Sequence, residues 1–348
     1  MWAGFESRFN GILRNLAYHR ELVDKEAVAA DISEAVRRSK ADDEKWEQQE
    51  REWEATKVRT VLAWLDANDT PPAVILERHI RDCLPGSCDW FIQHKGTQLW
   101  LGDSVKNSLF WLHGKPGAGP FISSPMSQFT HLTTGKSTIC SSLVQHAEAK
   151  AVHVFYYFCS SIGHSLDGPN RLLRSLVSQV IQKHQDLAVY VHDIYFKSHP
   201  VPTTKTLLGL LQELLRGLGS VRLVVDGIDE WNPRDQKNVL KDLTQMLSTN
   251  KSLNICKVMI ASRDTLDTSR ILRKDKSAVT ISLSDGDEGA AVTRSITHFV
   301  NTKLSSLPDH FDELDPDASI LADVKQTLLN KSHGKARGIL EISKQLTN

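Results

Sequence analysis

The chain has 348 residues, 40% of them hydrophobic, and its 42 basic side chains balance its 42 acidic ones. This length and apolar content predict two domains, or one large domain with an appendage. The neutral charge gives no electrostatic reason to expect nucleic acid or a membrane surface as a partner. No apolar run nears the roughly 18 residues of a membrane-spanning helix.

The start of the chain and its cysteines predict a cytoplasmic protein. Residues 1–9 lack the basic segment followed by an apolar one that a secretory signal requires. Five cysteines are scattered along the chain; Cys83 and Cys88 flank a Pro-Gly turn, but no second pair completes a zinc site. We therefore expect reduced thiols.

Residues 1–68 are predicted to form a helical N-terminal region. Apolar residues recur at helical spacing near both of its ends, and the first proline of the chain is Pro71. Trp46 and Trp53, seven residues apart, would share one face of a highly charged helix. The region could be a signalling or oligomerising module that binds protein partners, or a helical hairpin packed on itself. The hairpin is favoured, because the apolar residues do not form a sustained heptad repeat.

After the break at 69–72, strand and helix patterns alternate, which predicts an α/β domain over residues 73–285 and a helical extension over 286–348. Short apolar strands between amphipathic helices indicate a parallel sheet covered on both faces, a three-layer α/β/α architecture. The predicted strands are Leu109–His113, Val152–Phe158, Val221–Asp226, Lys257–Ala261 and Val279–Leu283. The predicted helices are Ala73–Cys83, Ser137–Ala149, Arg171–His184, Leu207–Leu218, Gln236–Leu247 and Val292–Leu304.

A glycine-rich phosphate-binding loop follows the first strand, but it is divided in two. Residues 114–119 read GKPGAG and residues 136–138 read KST, with sixteen residues, 120–135, between them. Without these sixteen the chain reads GKPGAGKST, a full match to the Walker A pattern. In this pattern backbone N–H groups cradle the phosphates, the lysine reaches the β- and γ-phosphates, and the hydroxyl joins the Mg²⁺ shell. The predicted nucleotide-binding residues are Gly114, Lys115, Pro116, Gly117, Ala118, Gly119, Lys136, Ser137 and Thr138.

Two further strand ends supply the groups that such a loop needs. The apolar strand 221–226 ends at Asp226, which is predicted to hold Mg²⁺ together with Ser137. Asp229 and Glu230 follow, where a carboxylate could polarise an attacking water. Arg263 comes directly after another apolar strand, where it could reach the γ-phosphate. No guanine-reading N-K-x-D motif is present, so ATP is favoured over GTP.

The segments that carry these motifs resemble the NACHT nucleotide-binding module of fungal signal-transducing NTPases (STAND class), in the form often labelled nephrocystin-3-like N-terminal domain. The segments are FWLHGKPGAG, KST, HVFYYFC, LLRSLVSQ, VRLVVDGIDEW and KVMIASRD. The resemblance implies a P-loop fold acting as a nucleotide-dependent switch. It further implies a protein that binds ATP and Mg²⁺, hydrolyses ATP slowly, forms homo-oligomers and acts in non-self recognition or cell-death signalling. It also implies phosphate and metal roles for Lys136, Ser137 and Asp226, hydrolysis by Asp229 or Glu230, and a sensor role for Arg263.

Two departures from this family pattern put the activity in question. Residues 120–135 separate Gly119 from Lys136, so we expect greatly reduced nucleotide affinity. One hypothesis is a retained short intron, since sixteen codons preserve the reading frame and glycines stand at both edges; the other is a genuine loop. The C-terminal helix pattern at 335–340 is only a weak echo of the family's, which suggests a truncated product. The competing function is a catalytically inactive interaction scaffold.

Overall fold

The computed structural model describes residues 2–66, 71–81, 83, 85–104, 106–114, 135–159, 168–249, 255–275, 278–284, 286–291 and 294. Its contacts divide the chain into two compact units, Met1–Thr60 and Val61–Asn348. Most of the expected C-terminal extension, 286–348, lies outside the described residues, including nearly all of the predicted helix Val292–Leu304.

The N-terminal region is one continuous helix, α1 (Trp2–Leu65), so the expected hairpin is wrong. The reason is that no glycine or proline occurs between Gly11 and the helix end, while i,i+4 ion pairs such as Lys25–Glu21 support a straight helix. Every side chain over residues 8–56 is exposed, including Trp46 and Trp53.

The last turn of α1 belongs to the second unit and packs there. Trp64 Nε1 donates a hydrogen bond of 2.8 Å to the carbonyl of His199, and Arg174 Nη1 donates one of 2.8 Å to the carbonyl of Leu65. Arg174 thereby satisfies one of the carbonyls that the end of a helix leaves without a partner. This places the start of the second unit's core within the final turn of α1.

Five parallel strands form one sheet in the order β2-β3-β4-β1-β5, as the alternating pattern predicted. The strands are β1 (Leu109–His113), β2 (His153–Phe158), β3 (Val221–Asp226), β4 (Cys256–Ser262) and β5 (Val279–Ser282). β1 and β3 have the predicted bounds; β2 and β5 are each one residue shorter than predicted, and β4 is one residue longer at both ends. All residues of β1, β3 and β4 are buried, so helices or loops cover both faces of the sheet.

Nine α-helices with bounds inside the described part of the chain follow α1. They are α2 (Pro72–Arg81), α3 (Asp89–Gln93), α4 (Lys95–Leu101), α5 (Gly135–Ala149), α6 (Gly168–Lys183), α7 (Leu187–Tyr190), α8 (Thr204–Gly217), α9 (Pro233–Thr249) and α10 (Leu266–Leu272). A π-helical turn, Val191–Phe196, continues α7. The α8 helix begins earlier than its apolar pattern because Thr203 caps it, accepting a hydrogen bond from the Thr206 N–H. The α9 helix also begins earlier than its apolar pattern, because Asn232 Oδ1 accepts a hydrogen bond from the Asp235 N–H. No described helix is both long and apolar enough to cross a membrane.

Two fully buried cations occupy the amino-terminal ends of the central strands. Arg222 on β3 donates to the carbonyls of Leu101 (2.7 Å) and Gly102 (3.0 Å) at the end of α4. Lys257, its neighbour on β4, donates to the carbonyls of Leu99 (2.9 Å) and Gly102 (2.6 Å). Burial lowers the pKa of Lys257 to about 8, and the charge of Arg222 adds to this effect. Both cations therefore cap α4 and lie at the opposite edge of the sheet from the predicted site.

Candidate functional site

The carboxyl ends of β1, β4 and β3 lie side by side, and all the candidate residues that the structure describes lie at this edge. Across these three strands Leu112, Ala261 and Asp226 lie in register. The β4 strand lies between the strand that enters the predicted loop and the strand that ends in Asp226. Arg263 therefore leaves the sheet between the two halves of the candidate site.

Lys136 lies in the first turn of α5 and is almost completely buried, with 2% of its surface exposed. Its Nζ has no hydrogen-bond partner among the described residues. Burial lowers the pKa of Lys136, and the charges of Asp226 and Asp229 partly oppose that shift. A buried ammonium without a partner is costly, so this position favours an anion.

Asp226, the last residue of β3, faces the start of α5. It is 4% exposed, and its Oδ1 has no partner among the described residues. Burial raises the pKa of Asp226 to about 6. A hydrogen bond from Ser137 and the charge of Lys136 lower this pKa but do not cancel the effect of burial. A carboxylate next to a hydroxyl is the kind of oxygen set that Mg²⁺ uses when phosphates and waters complete its shell.

The turn after β3 begins with Gly227, which has φ +79°. A Cβ there would also come within 3.2 Å of the carbonyl oxygen of Cys159, so glycine is needed for both reasons. The following short 3₁₀ turn, Ile228–Glu230, carries the two remaining acidic candidates.

Asp229 and Arg263 contact each other directly. The Arg263 N–H donates to Asp229 Oδ1 at 3.0 Å, and Arg263 Nε lies 3.1 Å from Oδ2. The Asp229 side chain is 5% exposed and that of Arg263 is 49% exposed. Asp229 therefore orders the loop after β4. Of the two acidic residues in the turn, Glu230 is the more exposed.

The structure brings Lys136, Ser137, Asp226, Asp229 and Arg263 to one sheet edge. Thr138, also predicted, is buried one residue further along α5. Gly114 is described and buried, whereas 115–119 and nearly all of the separating stretch 120–135 lie outside the described residues.

Comparison with protein families identifies the chain. The family model for Nephrocystin 3, N-terminal matches residues 86–125 and 130–263, together half of the sequence. The chain belongs to the nephrocystin 3 N-terminal family. The matched residues include every candidate residue of the site, and the match breaks at 126–129, inside the stretch that divides the glycine-rich loop.

Other comparisons add little to the nephrocystin 3 N-terminal assignment. No curated protein matches the chain. Thirty chains of solved structures match, among them C. elegans PCH-2, with 13% identity and a TM-score of 0.35. That match covers 75% of this chain and 59% of PCH-2, so the chain spans less than two thirds of its neighbour. Similarity at this level carries no argument about function.

Sequence patterns did not reveal His79, which contacts α5 close to Ser137. This histidine precedes the segment that matches the nephrocystin 3 N-terminal family. His79 Nδ1 lies 3.1 Å from Ser141 Oγ, and that hydroxyl donates to the Ser137 carbonyl at 2.8 Å. Burial lowers the pKa of His79 to about 4, so the ring is neutral and can donate from Nδ1. The histidine is in α2, far from Ser137 in sequence, and no motif links the two.

Proposed function

We propose that this nephrocystin 3 N-terminal chain is a NACHT-type, STAND-class nucleotide switch with a P-loop fold that binds ATP with Mg²⁺ at the carboxyl edge of its sheet. The observation that supports this most is a pair of buried groups, Lys136 Nζ and Asp226 Oδ1, that have no hydrogen-bond partner within the described part of the chain. Ser137, the residue after Lys136, makes a hydrogen bond with Asp226. Buried polar groups are normally hydrogen-bonded, and those that are not call for an explanation such as a missing ion.

The side chains fit the two parts of Mg²⁺-ATP separately. The Lys136 ammonium suits the β- and γ-phosphates, while the Ser137 hydroxyl and the Asp226 carboxylate suit the metal. Mg²⁺, when bound, would neutralise charge on the phosphates. A phosphate beside Lys136 would give its ammonium the anionic partner that the described residues do not supply, and a metal would do the same for Asp226.

The contact between Arg263 and Asp229 supports a switching role. Because the Arg263 side chain is half-exposed, its ion pair is worth only about 1 kcal/mol or less. A γ-phosphate could therefore draw Arg263 away from Asp229 and move the loop between β4 and α10. Asp229 or Glu230 is the carboxylate that would polarise water for slow hydrolysis, as the family resemblance implies.

The wider features of the switch follow from the family resemblance and belong to the same proposal. They are ATP in preference to GTP, homo-oligomers through the NACHT module, protein partners bound by α1, a cytoplasmic location and a role in fungal non-self recognition or cell death. The exposed apolar side chains of α1 are compatible with a protein partner. Sequencing the transcript across Gly119–Lys136 tests the retained-intron hypothesis, and uniform presence of these codons in mature message would reject it.

Equilibrium binding of a fluorescent ATP analogue tests the nucleotide site. The proteins are the full chain, a variant lacking residues 120–135, and Lys136→Ala in both backgrounds, with Lys237→Ala as an exposed-lysine control. We expect Mg²⁺-dependent binding that is much tighter in the deletion variant, competed by ATP more strongly than by GTP, and lost with Lys136→Ala. Folded proteins that bind nucleotide in neither background would instead support the inactive scaffold.

A further inference from the structure

The turn between α2 and α3 brings two thiols together. Cys83 Sγ lies 4.0 Å from Cys88 Sγ, and the Ser87 hydroxyl is 3.3 Å from the first and 3.9 Å from the second. Gly86, with φ +78°, forms the turn that allows this approach. The other three cysteines, Cys140, Cys159 and Cys256, are buried.

The two sulfurs differ in the way that an attacking and a resolving thiol differ. Cys83 is half-buried and Cys88 is 3% exposed. The hydrogen bond from Cys88 lowers the pKa of the Cys83 thiol, and Ser87 adds to the shift. The same hydrogen bond and burial raise the pKa of Cys88. Cys83 is therefore the better nucleophile at neutral pH, with the second sulfur already adjacent.

We propose that Cys83 and Cys88 form a reversible redox site that small-molecule disulfides convert to an intramolecular disulfide. The Cys83 thiolate attacks a sulfur of oxidised glutathione, forms a mixed disulfide and releases one glutathione thiolate. Cys88 then loses its proton and attacks Cys83 Sγ, which releases the second glutathione. Two protein thiols and one oxidised glutathione thus become one protein disulfide and two reduced glutathiones.

The site is connected to the helix that carries Lys136. α2 and α3 both pack against α5, and the Ser142 side chain on α5 makes a hydrogen bond with Cys88. A disulfide between Cys83 and Cys88 joins the two ends of the turn between α2 and α3. It removes the Cys88 thiol proton and converts the thiol that Ser142 contacts into a disulfide sulfur. Oxidation therefore changes the contacts of α5 with the turn between α2 and α3.

Tryptic mapping of the full native chain in glutathione buffers tests the proposal, because trypsin places both cysteines in the single peptide 82–95 and the other three elsewhere. In oxidising buffer we expect this peptide to lose both alkylatable thiols without retaining glutathione, and reduced glutathione should restore them. In reduced protein, iodoacetamide should label Cys83 roughly tenfold or more faster than Cys88, because alkylation follows the thiolate fraction and access.

Single substitutions separate the two roles. Cys88→Ser should leave a stable glutathione adduct on Cys83, Cys83→Ser should leave Cys88 unmodified, and the control Cys256→Ser should behave as the wild type. The proposal is overturned if the native chain keeps both thiols in oxidising buffer. It is equally overturned if the chain accumulates a stable adduct on Cys83 without closing the ring, or closes it only in urea.

Discussion

The substitution Asp226→Asn should stabilise the ligand-free protein, although it removes a residue of the proposed site. Burial raises the pKa of Asp226 from 3.8 to about 6. The native state therefore holds this proton more tightly than the unfolded chain, and stability falls as pH rises through that interval. A neutral asparagine avoids the cost of ionising a buried carboxyl.

The size of the effect follows from the two pKa values. Relative to the wild type, Asp226→Asn should gain about 3 kcal/mol of unfolding free energy near pH 7.5 and only about 1 kcal/mol near pH 4.5. Urea denaturation at both pH values measures the difference. Asp229→Asn serves as the control, since it weakens the two contacts with Arg263 and should not stabilise the protein.

The same variant should lose Mg²⁺-dependent nucleotide binding, so stability and function would move in opposite directions. Two results would contradict this reasoning: a lower unfolding free energy for Asp226→Asn than for the wild type at neutral pH, or a gain in unfolding free energy that is the same at both pH values. Either would show that ionisation of Asp226 does not destabilise the native state.

Three other predictions concern groups outside the site. Because burial lowers the pKa of His79 from 6.5 to about 4, the unfolded chain binds more protons between these values. His79→Gln should thus remove up to about 3 kcal/mol of the stability loss between pH 7 and pH 4 in urea titrations; an unchanged acid slope would contradict this. Arg222→Ala should cost at least about 2 kcal/mol in the same assay, because it leaves carbonyls at the end of α4 unsatisfied, whereas the exposed control Lys237→Ala should cost almost nothing. Trp46→Ala on the exposed helix should change the unfolding free energy by less than about 0.5 kcal/mol, against about 3–5 kcal/mol for the buried Trp100→Ala, and similar values for both would contradict the exposure of α1.

The sheet was predictable from the sequence because its central strands are buried on both faces. Such strands are continuous apolar runs, and the runs 109–113 and 221–226 gave the observed bounds of β1 and β3. The single long helix was not anticipated. The lack of a sustained heptad repeat favoured a helical hairpin, whereas the absence of glycine and proline after Gly11 leaves the helix continuous to Leu65.

The candidate site was predictable as far as local patterns reach. Parallel strands end at one edge, so Asp226 and Arg263 were expected near Lys136, and the structure places them there; their binding of nucleotide stays a prediction. The contacts of His79 with Ser141 and of Arg222 with the end of α4 were not foreseeable. They join segments distant in sequence through single side chains, which leave no periodic signal.

The central claim is that Mg²⁺-ATP supplies the binding partners of two buried groups, Lys136 Nζ and Asp226 Oδ1. The most direct measurement is the thermal unfolding midpoint of the variant lacking residues 120–135, recorded with and without Mg²⁺-ATP, beside the same variant carrying Lys136→Ala. A ligand that binds only the native state must raise the midpoint. We predict a nucleotide-dependent rise that disappears with Lys136→Ala; no rise, or an equal rise in both proteins, would contradict the account.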